Sequence, residues 1–207
     1  VLPPETVRAW PAAVALLPHD AYLGGGTGLA AHIQHRLSRD LDVFFHEPVD
    51  LGALLRALDA TGGYAPTLIG DGVLDGVLHG AKVQFLHARD QRRLAPPRRI
   101  AGFPVAAVDD ILAMKLKVIG DRGELRDYFD VMAIEQRLGR TAEEGIALYL
   151  ERFGVPAEHE SVRHILLGLG YLDDVDDDDR LPLGRASIEA YWHRRQPQIV
   201  RSLSRFG

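Results

Sequence analysis

The chain has no cysteine and only three lysines, Lys82, Lys115 and Lys117, among its 207 residues. The first absence excludes disulfides, zinc–thiolate sites and thiol nucleophiles. No run of about 18 apolar residues exists, so no segment reads as a membrane span. The opening VLPPETVRAW lacks the basic start and apolar middle of a secretory signal. The expectation is a cytoplasmic protein with no membrane partner. What is present, 46% apolar and 26% charged residues, suffices to bury one or two compact cores.

Charge is uneven rather than extreme. The net value of −5 gives no general attraction for nucleic acid. Yet RDQRRLAPPRR, 89 to 99, holds five arginines against one aspartate, and five more stand between Arg185 and the end against Glu189 alone. Opposing them is DDVDDDD at 173 to 179, whose like charges predict a solvated, mobile block. It lacks the glycine and terminal glutamate of a calcium loop.

Periodicity divides the chain into a mixed half and a helical half. Residues 5 to 16 are apolar at helical spacing. AYLGGG reads as a strand entering a turn, Thr27 as the cap of the helix that follows, and LDVFF as a short buried strand. Asp50 is placed to cap a helix over 50 to 60. Segments 64 to 69, 73 to 78 and 81 to 87 read as antiparallel strands broken by glycine and aspartate. Beyond LAPPRRIAGFP the pattern is helical over 108 to 119, 124 to 138, 141 to 153, 159 to 170 and 185 to 205, with a break or kink at Pro197. The expected architecture is α+β: a mixed twisted sheet in an N-terminal lobe, 1 to 104, and a helical lobe, 105 to 207, completing a cleft.

The densest chemistry lies in LGGGTGLAAHIQHRLSRDLDVFF, 23 to 45. Asp40 and Asp42 flank Leu41, and strand alternation turns both carboxylates to one face. Two such groups make a hard oxygen site suited to Mg2+, which is commonly held by one or two carboxylates plus substrate phosphates. The glycine turn before a helix offers backbone N–H groups and the positive end of a dipole to an anion. GGGTG is neither the dinucleotide fingerprint nor a Walker loop, since Leu29 stands where a glycine is needed and no Gly-Lys-Ser/Thr follows. Taken singly, a glycine turn, an Asp-x-Asp pair, and Arg36 and Arg39 beside it are ordinary surface features. Their combination carries the weight.

That combination, Gly25, Gly26 and Thr27 followed by His35, Arg36, Ser38, Asp40 and Asp42, resembles the opening motif of the AbiEii/AbiGii-like nucleotidyltransferase toxins, a branch of the DNA polymerase β-type nucleotidyltransferases. DDILAMKLKVIGDRGELRDYFDV resembles the family's later motif, with Asp110, Lys115, Arg122, Arg126, Asp127 and Asp130 at the matching positions. The resemblance spans residues 20 to about 135. It implies a nucleotidyltransferase fold and a magnesium-dependent transfer of a nucleotide from an NTP to an RNA acceptor, a tRNA in its sharpest form, in a toxin–antitoxin or phage-defence system with a cognate antitoxin.

On that implication the catalytic residues are Asp40, Asp42, Lys115 and Asp127, with Asp40 and Asp42 also the metal ligands. Gly25, Gly26, Thr27, Arg36, Ser38, Lys82, Arg122, Arg126 and Asp130 bind nucleotide. Asp127 is read either as a base or as the residue that orients Lys115. The spacing also fits a salt-bridge network joining two helices. One departure stands out: Gln84 occupies the strand position where the superfamily often carries a third carboxylate. Lys82, on the same strand face, is read either as a phosphate contact or as the partner of an acid. Two other readings follow, a nucleotidyltransferase acting on a small cationic molecule such as an aminoglycoside, and a catalytically silent nucleotide-binding protein. His32, His35 and His46 lack metal-ligand spacing.

Overall fold

The computed structural model describes residues 2 to 204. The chain is α+β and divides into two compact units, one of residues 1–91 and 95–107, the other of residues 92–94 and 108–207.

The first unit is built on a seven-stranded mixed sheet. Its elements are α1 (Pro4–Ala15), β1 (Tyr22–Leu23), α2 (Gly25–Ile33), β2 (Leu41–Phe45), α3 (Leu51–Asp59), β3 (Tyr64–Gly70), β4 (Val73–Leu78), β5 (Ala81–His87), β6 (Arg98–Ile100) and β7 (Phe103–Val105). The strands lie in the order β3-β4-β5-β2-β1-β7-β6. The β2–β5 and β1–β7 pairs are parallel and the others antiparallel. Alternation in the sequence sets which way each strand faces. Leu41, Val43 and Phe45 of β2 point inward with Leu74, Val83 and Phe85, and Ala9 and Ala13 of α1 and Leu54 and Leu58 of α3 close over them. Each large side chain buried here contributes about 1.5–3 kcal/mol. The opposite face keeps Asp42 of β2, Lys82 and Gln84 of β5 and Asp75 of β4.

Asp50 caps α3, its carboxylate accepting the Ala53 N–H at 2.9 Å. Thr27 departs from the expected cap. The helix already begins at Gly25, and Thr27 is its third residue, buried, with its hydroxyl turned to Ser38 and Asp40 instead of to its own helix. Gly24 has no side chain to cap with, so the chain spends Thr27 on fixing the next loop.

The second unit packs α4 (Val108–Arg122), α5 (Leu125–Leu138), α6 (Ala142–Phe153), α7 (Glu160–Gly170) and α8 (Arg185–Leu203). The helix α4 runs unbroken through Gly120, whose bare Cα lets Ile165 of α7 approach. Of the break or kink expected at Pro197, the break is absent: α8 continues through it. Ile188, Trp192 and Ile199 are fully buried on either side of it, and the Trp192 indole donates to the Tyr128 carbonyl at 3.2 Å. Tertiary packing here outweighs the cost of one missing helical hydrogen bond. Residue 205, the expected end of this helix and the last of its arginines, lies outside the described residues. Among those described, no helix is long and apolar enough to cross a membrane.

Candidate active site

In the first unit, the acid pair is set by β2 and by the glycine turn beside it. Leu41 is fully buried, while Asp40 and Asp42 on either side are only partly covered. The loop leading to Asp40 is fixed from behind: the Thr27 hydroxyl bonds the Asp40 carbonyl at 2.5 Å and the Ser38 hydroxyl at 2.9 Å. Gly24 N–H donates to the Asp42 carbonyl at 2.8 Å, which joins the turn to the strand.

The glycines then have a specific use. Gly25 has φ +58°, and a Cβ built on it would lie 1.9 Å from Asp42 Oδ2. A Cβ on Gly26 would lie 2.2 Å from an Arg36 guanidinium nitrogen and 3.0 Å from Ser38 Oγ. So the N-terminus of α2 is bare because a carboxylate and a guanidinium lie against it. The Asp42 carboxylate itself sits at the positive end of the helix. The sequence placed phosphate on the turn and metal on the aspartates; the structure brings turn, Asp42, Arg36 and Ser38 into one cluster.

The donor set fits magnesium in its usual protein-poor form. Asp40 and Asp42 supply hard carboxylate oxygens, and among the described residues no group of three or more His, Cys, Asp or Glu side chains is placed to hold a metal. Phosphate and water oxygens must complete such a shell. Sheet register adds neighbours on the same face: Asp42 pairs with Gln84, and Gln84 with Asp75. Lys82, exposed, lies opposite Val77. Asp75 was missed in the sequence, although an acid inside the apolar strand VLDGVL was a visible signal. The Tyr64 hydroxyl donates to the Asp75 carbonyl at 3.1 Å and is pushed up to about 12 by burial and then by the Asp75 charge.

The second unit gathers the later motif into two buried ion clusters. Lys115 Nζ donates to Asp127 Oδ1 at 2.6 Å and lies 2.7 Å from Asp130 Oδ2. All three side chains are under 10% exposed. The other Asp127 oxygen accepts the Glu124 N–H at 3.0 Å, closing a capping box at the start of α5. Both Asp127 oxygens are thus engaged, and Asp130 holds the same ammonium from a fully buried position. Asp110 is equally buried, paired with Arg152 and accepting the Leu94 N–H at 2.9 Å. Arg152 also donates to the Arg92 carbonyl at 2.9 Å, so this pair anchors segment 92–94 to its unit. Arg152 was not singled out in the sequence, where an arginine near the end of an amphipathic helix reads as surface.

Arg122 and Arg126 differ from that core. Arg122 is exposed, and Arg126 pairs with Glu124 at 2.9 Å. Lys117, exposed, pairs with Asp121. Arg122 lines a cavity of about 520 Å³ within this unit, together with Tyr128, Tyr171, Asp174, Asp178 and Arg180. The aspartate block is solvated, as its charge predicted, with Asp178 alone of its aspartates half-buried, and it is also tied down at particular points. Arg185 donates to the Leu172 and Val175 carbonyls and pairs with Asp177, and Arg180 bonds Asp178 at 2.7 Å. The Arg180 hydrogen bond holds Asp178 below the ordinary carboxylate range against the opposing effect of burial. Tyr128 is pushed up to about 12, first by burial and then by Asp174 and Asp127.

Comparison with known proteins bears on the family and the fold. The family described as nucleotidyl transferase AbiEii toxin, type IV TA system, matches residues 9–79 and 86–205. An uncharacterised protein of Aquifex aeolicus (strain VF5) is 25% identical over 191 residues, 91% of this chain and 88% of the relative. A candidate nucleotidyltransferase from H. pylori superposes with a TM-score of 0.59 at 18% identity, covering 98% of this chain and 96% of its own. MenT4, a nucleotidyltransferase toxin from Mycobacterium tuberculosis H37Rv, superposes with a TM-score of 0.55 at 20% identity, covering 96% and 86%. At these identities the two structures establish a shared fold.

Proposed function

Because this chain belongs to the AbiEii nucleotidyl transferase toxin family of type IV toxin–antitoxin systems, we propose that it transfers a nucleotide from an NTP to the hydroxyl of an RNA acceptor, a tRNA in the sharpest form of the reading. The observation that carries this is the bare N-terminus of α2 shaped around Asp42, the second acid of the Asp-x-Asp pair. The acceptor hydroxyl gives up its proton to solvent, its oxygen forms a bond to the α-phosphorus, the bond from that phosphorus to the bridging oxygen breaks, and pyrophosphate leaves. Asp40 and Asp42 would hold Mg2+, whose chemistry is to offset triphosphate charge and favour the ionised acceptor hydroxyl.

The chain's own residues divide the remaining work. Arg36 and the N–H groups of Gly25 and Gly26 offer a forked cation and backbone donors to phosphate oxygens. Thr27 and Ser38 keep the Asp40 loop in place. Lys115 is a point charge for the triphosphate, oriented by Asp127 and Asp130, and Arg122, Arg126 and Lys82 are further phosphate contacts. Arg185 and Arg195 of α8 are held by Asp177, Glu189, Glu135 and Glu143, so the arginines at 89 to 99 and the exposed Arg194 and Arg201 of α8 are the ones assigned to the RNA backbone, whose contacts weaken steeply with salt. The setting is the cytoplasm, with a cognate antitoxin protein as the controlling partner.

A second reading, transfer to a small cationic acceptor, draws support from the aspartate-lined cavity of the second unit. Incubation with each labelled NTP, magnesium and total bacterial tRNA, beside an Asp40→Ala, Asp42→Ala double variant, decides. Label on RNA with the wild type alone supports the RNA reading. Label on an added aminoglycoside and never on RNA supports the second. Nucleotide binding without any product leaves a silent binding protein.

A further inference from the structure

The loop of residues 34 to 40, which ends in the first acid of the pair, has no regular secondary structure. The ladder with β5 starts only at Leu41, opposite Val83, so Asp40 precedes it. Side chains hold its backbone instead. The Arg39 carbonyl accepts the Thr6 hydroxyl at 2.8 Å, and the Asp40 carbonyl accepts the Thr27 hydroxyl at 2.5 Å. The two threonines come from different helices, α1 and α2, and are 0% and 1% exposed. A threonine hydroxyl has a single proton to donate. Thr27 spends its proton on the Asp40 carbonyl, so in the 2.9 Å bond between Thr27 and Ser38 it is Ser38 that donates.

A peptide unit is a rigid plane, and the conformation of a residue is set by the two planes that meet at its Cα. At Asp40 one plane carries the Arg39 carbonyl and the other the Asp40 carbonyl, and each is pinned by a threonine. We propose that Thr6 is a positioning residue for Asp40: together with Thr27 it fixes φ and ψ of the acid, and so the direction in which the carboxylate leaves the chain. Nothing in the chemistry proposed above uses Thr6. The rest of the face that α1 buries is alanine, Ala9 and Ala13. For packing alone a valine of the same shape would serve at position 6, so the hydroxyl is the part that packing does not explain. The inference rests on the reading of Asp40 as a metal ligand and deepens it, because one hydroxyl then ties the first helix to the acid pair.

The test compares Thr6→Val, which keeps the shape and loses the hydroxyl, with Thr6→Ser, which keeps the hydroxyl. Two readouts are taken well below the melting point of each variant: amide hydrogen exchange of the metal-free protein by mass spectrometry, and Mn2+ affinity by electron paramagnetic resonance. Thr6→Val is expected to speed exchange in the segment 36 to 42 by up to about 10-fold, the factor one hydrogen bond supplies, with the core strands unchanged. It is expected to weaken Mn2+ binding about 10-fold, as loss of an outer-shell partner does. Thr6→Ser is expected to keep wild-type values of both. In an Asp40→Ala background Thr6→Val is expected to speed exchange as before and to cost no further Mn2+ affinity, since the ligand it positions is gone. Wild-type exchange and affinity in Thr6→Val overturn the proposal. Thr6→Ser as impaired as Thr6→Val overturns it too, because the hydroxyl would then not be what acts. An equal loss of affinity with and without Asp40 overturns it as well, because the effect would reach the metal by another route. Asp40→Ala binding Mn2+ like the wild type overturns the ligand reading, and the exchange contrast between Thr6→Val and Thr6→Ser tells that failure from a failure of Thr6 to hold the loop.

Discussion

Replacing Lys115 by methionine tests what holds the later motif together. The ammonium lies 2.6 Å from Asp127 and 2.7 Å from Asp130, and all three groups are shut away from water. The cluster carries one positive and two negative charges. Methionine fills nearly the same volume, so the change is almost purely electrostatic, and it leaves two carboxylates facing each other in a buried site. Removing one partner of a buried ion pair costs about 3–5 kcal/mol. For a chain of this length about 2–4 °C of melting temperature goes with each kcal/mol, so Lys115→Met is expected to melt about 6–20 °C lower.

The aspartates rank below it. Asp130→Asn keeps an acceptor for the ammonium and leaves a neutral Lys115–Asp127 pair, so its cost is about 1–3 kcal/mol. Asp127→Asn also weakens the capping box at Glu124, adding about 1 kcal/mol. Thermal melts followed by circular dichroism give the order, and nucleotide transfer is measured well below the lowest midpoint. A Lys115→Met protein melting within about 1 kcal/mol of wild type, or an Asp130→Asn protein as unstable as Lys115→Met, refutes the electrostatic account. The order matters for function: a dead Lys115 variant assayed above its melting point says nothing about catalysis.

Two further outcomes are expected. Gly25→Ala must hold an alanine at φ +58°, at a cost of about 1–2 kcal/mol, and its Cβ must displace the Asp42 carboxylate; labelling of acceptor and Mn2+ binding are both expected to be lost while the melt moves only a few degrees, and retention of both would show that the tight turn is not part of the site. Asp110→Ala leaves Arg152 buried without its carboxylate and is expected to lose about 3–5 kcal/mol by urea titration, with Asp110→Leu combined with Arg152→Met recovering most of it; full stability with lost transfer would instead make Asp110 a functional residue.

The elements legible in the sequence were those whose cause is local. Alternation in LDVFF gave β2 and its two faces, the leucine spacing after Asp50 gave α3, and the helical half was readable from period alone. Three readings were incomplete because distant residues decide the details. Thr27 is drawn away from capping by Ser38 and Asp40. Pro197 is carried inside α8 by Ile188, Trp192 and Ile199 packing around it. The aspartate block is pinned by Arg185 and Arg180, whose partners include backbone carbonyls that no charge pattern reveals. The row Asp75, Gln84, Asp42 needed the strand order as well, because β2 pairs in parallel with β5 across the intervening β3–β4 hairpin.

Burial then separates what a motif match leaves mixed. The later motif reads as one functional string, yet Asp110, Asp127 and Asp130 each spend their charge on a buried cation. A carboxylate in that position cannot exchange its partner for a ligand without leaving Lys115 or Arg152 uncompensated, and that cost exceeds what most single contacts return. On the proposed function, any effect they have on a substrate passes through Lys115, which Asp127 and Asp130 hold, or through the segment at 92–94, which Asp110 and Arg152 fix. Asp40 and Asp42 differ in kind. They are partly open, they flank a core leucine that holds the strand, and one of them is fitted against a turn that admits no side chain. Substitution of the first group should therefore appear chiefly in melting curves, and substitution of the second chiefly in metal binding and turnover at unchanged stability.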